Sequence, residues 1–163
     1  MKKTVSLLLC LFVLFSTFTF GATATNENET PPVVLDFALN PLSEFKTTNE
    51  NGSRATGLIQ AYTLGLSKSG STLHLTGHTY CDSSVVKCGF KNLVVERRKT
   101  SSDSWSEYYD YGDVYVETFG ATLDTSLSVA SGYQYRISCK HYAKKSLLVT
   151  QSISNTSNIV TVS

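Results

Sequence analysis

Cys81, Cys88 and Cys139, three of the four cysteines, and the three histidines are the residues of this chain best suited to covalent or metal chemistry, and their spacing argues against most of it. His74 and His78 lie four apart in a run that alternates like a strand. They would share a face about 13 Å apart, too far to hold one ion. His141 stands by itself near a strand end. Zinc needs a close ligand cluster, and none is visible, so no metal and no cofactor are expected. Cys139 and His141 are alternate residues of one strand and could form a thiol–imidazole pair. A cysteine facing a packed core is a poor nucleophile, however, because burial keeps it protonated. The chain has no G-x-S-x-G, H-E-x-x-H, P-loop or dinucleotide fingerprint. With no nucleophile, base and orienting group in view, no catalytic residue is assigned and the chain is not expected to be an enzyme.

Binding chemistry has a better candidate. Between Ser104 and Glu117, Trp105, Tyr108, Tyr109 and Tyr111 are interleaved with Asp110 and Asp113. A ring offers flat apolar contact and a carboxylate orients hydroxyls, a combination that suits sugars or peptides. The competing reading has Trp105, Tyr109 and Tyr115 covering the core while the acids stay in water. Two carboxylates at a turn are too few oxygens for calcium.

The elements that must position these residues read as strands. Leu73, Leu75, Gly77, Thr79 and Cys81 share one parity, and His74, Thr76, His78 and Tyr80 the other. Further strands are predicted over 58–66, 90–98, 105–111, 114–119, 122–129, 132–142, 146–153 and 158–162, with no sustained helical period between them. Short strands punctuated by turns imply an all-β sandwich or barrel.

In the run from Gly132 to Tyr142, Tyr133, Tyr135, Ile137 and Cys139 alternate with Gln134, Arg136, Ser138 and Lys140, and Leu127 sits six residues before Tyr133. This resembles the late strand of fibronectin-III and immunoglobulin-like sandwiches, whose corner tyrosine anchors the preceding loop. The resemblance implies about seven antiparallel strands, with Tyr133 as the corner tyrosine packed over Leu127. The residues Gly57-Leu-Ile-Gln-Ala-Tyr62, Thr79-Tyr-Cys81, Lys87-Cys-Gly-Phe90 and Cys139-Lys-His-Tyr-Ala-Lys-Lys145 are also similar to a group of small secreted Gram-positive (Firmicutes-type) proteins of unknown function. That likeness implies secretion and the same sandwich, but no activity. In a fibronectin-like strand order, the parity of Cys81 and Cys139 points both inward from opposite sheets. A bridge between them would close a loop of roughly 58 residues and contribute on the order of 4 kcal/mol. Cys81–Cys88 is the alternative pair, and three cysteines leave one thiol over.

The chain opens with Met1-Lys-Lys, then an uncharged apolar stretch from Thr4 to Phe20, then Ala22-Thr-Ala24. Residues 1–24 therefore read as a secretory signal peptide that carries Cys10 away with it. Residues 25–57 hold all three prolines and read as a flexible tail or linker, with docking of 33–42 as the alternative. The domain is expected over 58–163. Loss of Lys2 and Lys3 takes 14 basic residues to 12, against 13 acidic, a net charge of −1. That balance leaves no nucleic-acid footprint, and no second apolar segment suggests a membrane anchor. The expectation is an extracellular, non-catalytic binding or adhesion module for cell-wall glycan, host glycan or another protein. A secreted effector, toxin or inhibitor, is the alternative. Ligand and oligomeric state have no signature in the sequence.

Overall fold

A computed structural model describes residues 31–42, 53–54 and 57–163. The signal peptide read at 1–24, residues 25–30 and most of 43–56 lie outside the described residues. Among the described residues every regular element is a strand: β1(Val33–Pro41), β2(Ser53–Arg54), β3(Ile59–Ser69), β4(Thr72–Cys81), β5(Lys87–Arg98), β6(Ser106–Val116), β7(Gly120–Ser128), β8(Tyr133–Lys144), β9(Thr150–Thr156) and β10(Val160–Val162).

The strands form two antiparallel sheets facing one another. One runs β1-β7-β4-β3-β2 and the other β10-β8-β5-β6, with β9 also on β8. The parity read from sequence on β4 and β8 decides what lies between them. Leu73, Leu75, Thr79 and Cys81 are buried on β4, and Tyr135, Ile137, Cys139, His141 and Ala143 on β8. Phe90, Leu93 and Val95 of β5 and Leu123 and Leu127 of β7 complete the core. The alternate residues of each strand face water, as expected for sheets packed on one side.

β9 and β10 share one edge of β8 in succession, β10 on Tyr133–Tyr135 and β9 on Ser138–Lys144. At the break, Ser157 takes over the ladder: its N donates to the Ile137 carbonyl at 2.9 Å and its Oγ accepts from Ile137 N at 3.0 Å. Two side-chain amides then clamp β3 across the gap between the sheets. Asn158 bonds both N and O of Leu66 at 3.1 and 2.8 Å, and Gln151 Oε1 accepts from Ile59 N at 2.9 Å. These bonds satisfy backbone groups that an edge strand would otherwise offer to another chain.

The structure departs from the sequence reading in four places. Residues 33–41, read as part of a flexible tail, form β1 and pair with β7 from Val33↔Ser128 to Pro41↔Ala121. The segment orders because Val34 and Leu39 pack on the core and Phe37 stacks on Tyr111 at 5.6 Å, so it buries more apolar surface than its composition suggested. Second, β6 runs unbroken through Gly112-Asp113, where a turn was expected between two strands. Gly112 adopts a φ of 71°, and its N donates to Asp110 Oδ1 at 2.7 Å. Third, Leu147 to Val149 form a turn, and β9 begins only at Thr150.

Fourth, the corner tyrosine is Tyr135 instead of Tyr133. Tyr135 is fully buried, and its hydroxyl donates to the Ala130 carbonyl at 2.7 Å. Tyr133 opens β8 only half-buried, and the Arg97 guanidinium lies 4.5 Å from its ring centroid. The two tyrosines share parity, so the pattern could not separate them. Only the deeper one sits below the loop it must reach back to.

Candidate functional site

Among the described residues the cysteines, Cys81, Cys88 and Cys139, are buried and free. The expected Cys81–Cys139 pair is not formed, and strand register gives the reason. Cys88 is level with Ala143 on β8. Cys139 lies four residues further along the same strand, about 13 Å away. Cys81 ends β4 beside Cys88, whose thiol is the largest cause holding Cys81 well above the usual thiol range; burial is the next. Cys139 is pushed up to about 12 by burial. Both groups stay protonated, which makes them inert as nucleophiles. Oxidative refolding followed by non-reducing peptide mapping is expected to join Cys81 to Cys88 and leave Cys139 as a thiol. A Cys81–Cys139 peptide would contradict the register. The short loop so closed contributes on the order of 2 kcal/mol.

His141 is a fully buried ionisable side chain that joins a polar network. Its Nδ1 lies 2.7 Å from Thr79 Oγ1, and its Nε2 lies 3.2 Å from Asn155 Nδ2. Thr79 Oγ1 donates to the Gly89 carbonyl at 3.2 Å. All three bonds are satisfied together when Nδ1 carries the proton and Nε2 accepts from Asn155. The rings of Tyr62 and Phe90 lie 4.9 and 5.3 Å away. Burial lowers the imidazole pKa from 6.5 to about 4, so the ring is neutral near pH 7. His74 and His78 face outward from the other sheet, toward Ser126 at 3.0 Å and Thr122 at 3.2 Å. Among the described residues no group of three or more His, Cys, Asp or Glu could hold a metal ion.

The aromatic and acidic residues of 105–113 do not form one surface. Register shifts on β6 explain the split. Val95 pairs Tyr109 but Glu96 pairs Glu107, so Tyr108 is an inserted residue. A bulge of this kind turns two neighbouring side chains toward one face. Tyr108 therefore packs edge-on against Tyr135 at 5.4 Å, while Tyr109 packs on Tyr111 at 4.7 Å. All three tyrosines lie against the core, and burial raises the pKa of the Tyr111 hydroxyl. Asp110 is exposed and occupied by Gly112 N. Asp113 accepts from Tyr115 Oη at 2.6 Å and Asn92 N at 2.9 Å, bonds that lower its pKa. Trp105 lies just before β6 and Asp113 near its far end, roughly 25 Å apart along the strand. They cannot share one small ligand.

Trp105 instead joins the outer face of the β5–β8 sheet. The Arg98 and Arg136 guanidiniums each lie 4.4 Å from its ring. Arg98 Nε donates to Gln134 Oε1 at 2.8 Å, and Arg136 donates twice to Glu96, at 2.8 and 3.3 Å. Further along this face, Tyr115 and Tyr142 meet at 5.3 Å. Both are register partners of Gly89, where a Cβ would lie 2.2 Å from the Val114 carbonyl oxygen. The glycine lets the strands and the two rings close over it. Lys87 sits 5.1 Å from Tyr115 and Lys91 sits 4.7 Å from Tyr142. The exposed face is thus aromatic and basic where an aromatic and acidic one was expected. Arg136, Lys140 and Tyr142 alternate on the outward parity of β8, which is the sequence signal that could have revealed it.

Comparison with protein-family models, curated proteins and solved structures finds no match to this chain.

Proposed function

We propose that the chain is a secreted, non-catalytic binding module on a fibronectin-III-like sandwich, taking glycan or a surface protein on the outer face of the β5–β8 sheet. The strand order supports the fold reading. β3, β4 and β7 oppose β6, β5, β8 and the split β9/β10 edge, a three-on-four arrangement to which β1 and the two-residue β2 add outer strands. The observation that carries the binding reading is Trp105, half-exposed and held on Arg98 and Arg136. Gln134 and Glu96 fix those guanidiniums, so ring and cations are set before a ligand arrives. Preorganised aromatic and arginine groups of this kind carry most of the affinity in binding sites.

Pull-down of the folded chain on peptidoglycan and on mucin tests the reading. Trp105→Ala is expected to lower retention by about tenfold or more without shifting thermal unfolding beyond a few degrees. Retention equal to wild type would remove this face from the function.

A further inference from the structure

The β8–β9 connection presents the most exposed apolar side chains among the described residues. Leu147 is 85% exposed and Leu148 is 91% exposed. They are the central residues of a tight turn closed by Lys145 N to Val149 O at 2.9 Å and by two longer bonds between Ser146 and Val149. Turn centres favour Gly, Asn, Asp, Ser or Pro, whose local geometry suits them. Two leucines there gain nothing from the fold. The neighbouring β4–β5 loop is tied to the same tip, since Val86 N donates to the Lys144 carbonyl at 2.9 Å, and Val86 is itself exposed. The result is a convex apolar point held by backbone bonds.

The charges around it identify what it meets. Lys144 and Lys145 immediately precede the turn, and Lys87 lies beside Val86 in the chain. Two carboxylates are close: Glu117 pairs with Lys87 at 2.7 Å, and Asp82 is near enough to Lys145 to feel its charge. Lys140 and Lys91 continue the positive charge up the outer face, where Tyr142 and Tyr115 lie between them and the tip, with Asp113 beside Lys91. Counting all of these, five lysines stand against three carboxylates. An apolar point below lysines, with tyrosines behind, matches the order of acyl chain, phosphate and interface in a bilayer. A second copy of the chain fits poorly, because two convex points bury little against each other and their lysines repel.

We propose that this tip docks on an anionic lipid surface, with Leu147 and Leu148 entering the acyl boundary and Lys144 and Lys145 meeting the headgroup phosphates. The contact is superficial, as for an amphipathic element lying in the interface. It is a partner that the charge balance and the lack of a second apolar segment did not suggest.

The test is co-sedimentation of the full chain with vesicles of phosphatidylcholine and phosphatidylglycerol, against phosphatidylcholine alone. Binding is expected to the mixed vesicles only and to weaken as salt rises. Leu147→Ser and Leu148→Ser should each reduce it about tenfold, and Lys144→Gln or Lys145→Gln about fivefold. All four positions are outside the core, and an unchanged thermal transition verifies that each variant is folded. In a gain-of-signal version, Leu148→Trp should show a blue-shifted emission increment over wild type on adding mixed vesicles. Three results would overturn the proposal: no binding to either vesicle with no shift for Leu148→Trp, equal binding by the leucine variants, or a dimer in sedimentation that the leucine changes abolish.

Discussion

The unfolding free energy is expected to fall by about 3 kcal/mol as the medium is taken from neutral to about pH 4, with most of that loss absent in His141→Leu. The cause is the buried imidazole, whose pKa burial lowers from 6.5 to about 4. A base with a depressed folded pKa binds its proton more readily in the unfolded chain. Its contribution is therefore complete above about pH 6.5 and is lost as the pH falls from there to the folded value. Protonation would also place a charge between Tyr62 and Phe90 and remove the acceptor that Asn155 uses. Asp82 and Asp113 act in a different window. Ser84 and Tyr115 hold their carboxyls below the usual range, so their contributions persist to lower pH and vanish only as the folded pKa values are passed. His141→Leu should have its own baseline stability, since Thr79 still donates to Gly89 while the ring contacts are lost. The slope above about pH 4 is the diagnostic quantity. Denaturant titrations at stepped pH measure it, and parallel profiles for the two proteins would show that His141 does not titrate as the geometry requires.

Much of the sandwich was legible because strand parity has a period of two and tolerates few exceptions. β4 and β8 were read residue by residue, and their inward positions are the buried ones. What failed was whatever interrupts the period. The bulge at Tyr108 put adjacent tyrosines on one face and dissolved the expected aromatic–acidic surface. No local residue announces such a bulge, since it is set by how β6 tracks β5. The disulfide expectation failed at the level of register, because parity gives the face of a cysteine and not its height. Cys81 and Cys139 both point inward, yet Cys81 lies beside Cys88, which is level with Ala143 and not with Cys139. β1 was hidden for a compositional reason. Val33-Val34-Leu35, Phe37 and Leu39 are short apolar patches in a segment bounded by prolines and polar residues, and only an open strand edge elsewhere in the chain makes them worth ordering. The turn at Leu147-Leu148 was read as strand because leucines normally seek cover.

Tyr135→Phe is expected to destabilise the protein by about 1 to 3 kcal/mol. The hydroxyl donates to the Ala130 carbonyl at 2.7 Å. Removing the oxygen keeps the edge-on packing against Tyr108 but leaves the half-buried Ala130 carbonyl without this donor, and an unmade bond away from bulk water costs more than the bond's net worth. The bond also does topological work. The chain leaves β7 at Ser128, crosses to the other sheet through 129–132, and enters β8. Val129 is held to Ser71 by its N, and Gly132 N donates to Val162. Tyr135 ties the middle of the same crossing, so all three bonds fix one inter-sheet connection. Tyr133→Phe tests the assignment from the other side. It retains the ring beneath Arg97 and does not touch the Ala130 bond, so its cost should be the smaller of the two. Thermal and denaturant unfolding of the two single variants decide the matter. A larger loss for Tyr133→Phe would return the corner to the position six residues after Leu127. A larger loss for Tyr135→Phe would place it six residues after Val129, itself buried, with the same spacing shifted two residues along the strand and therefore on the same face.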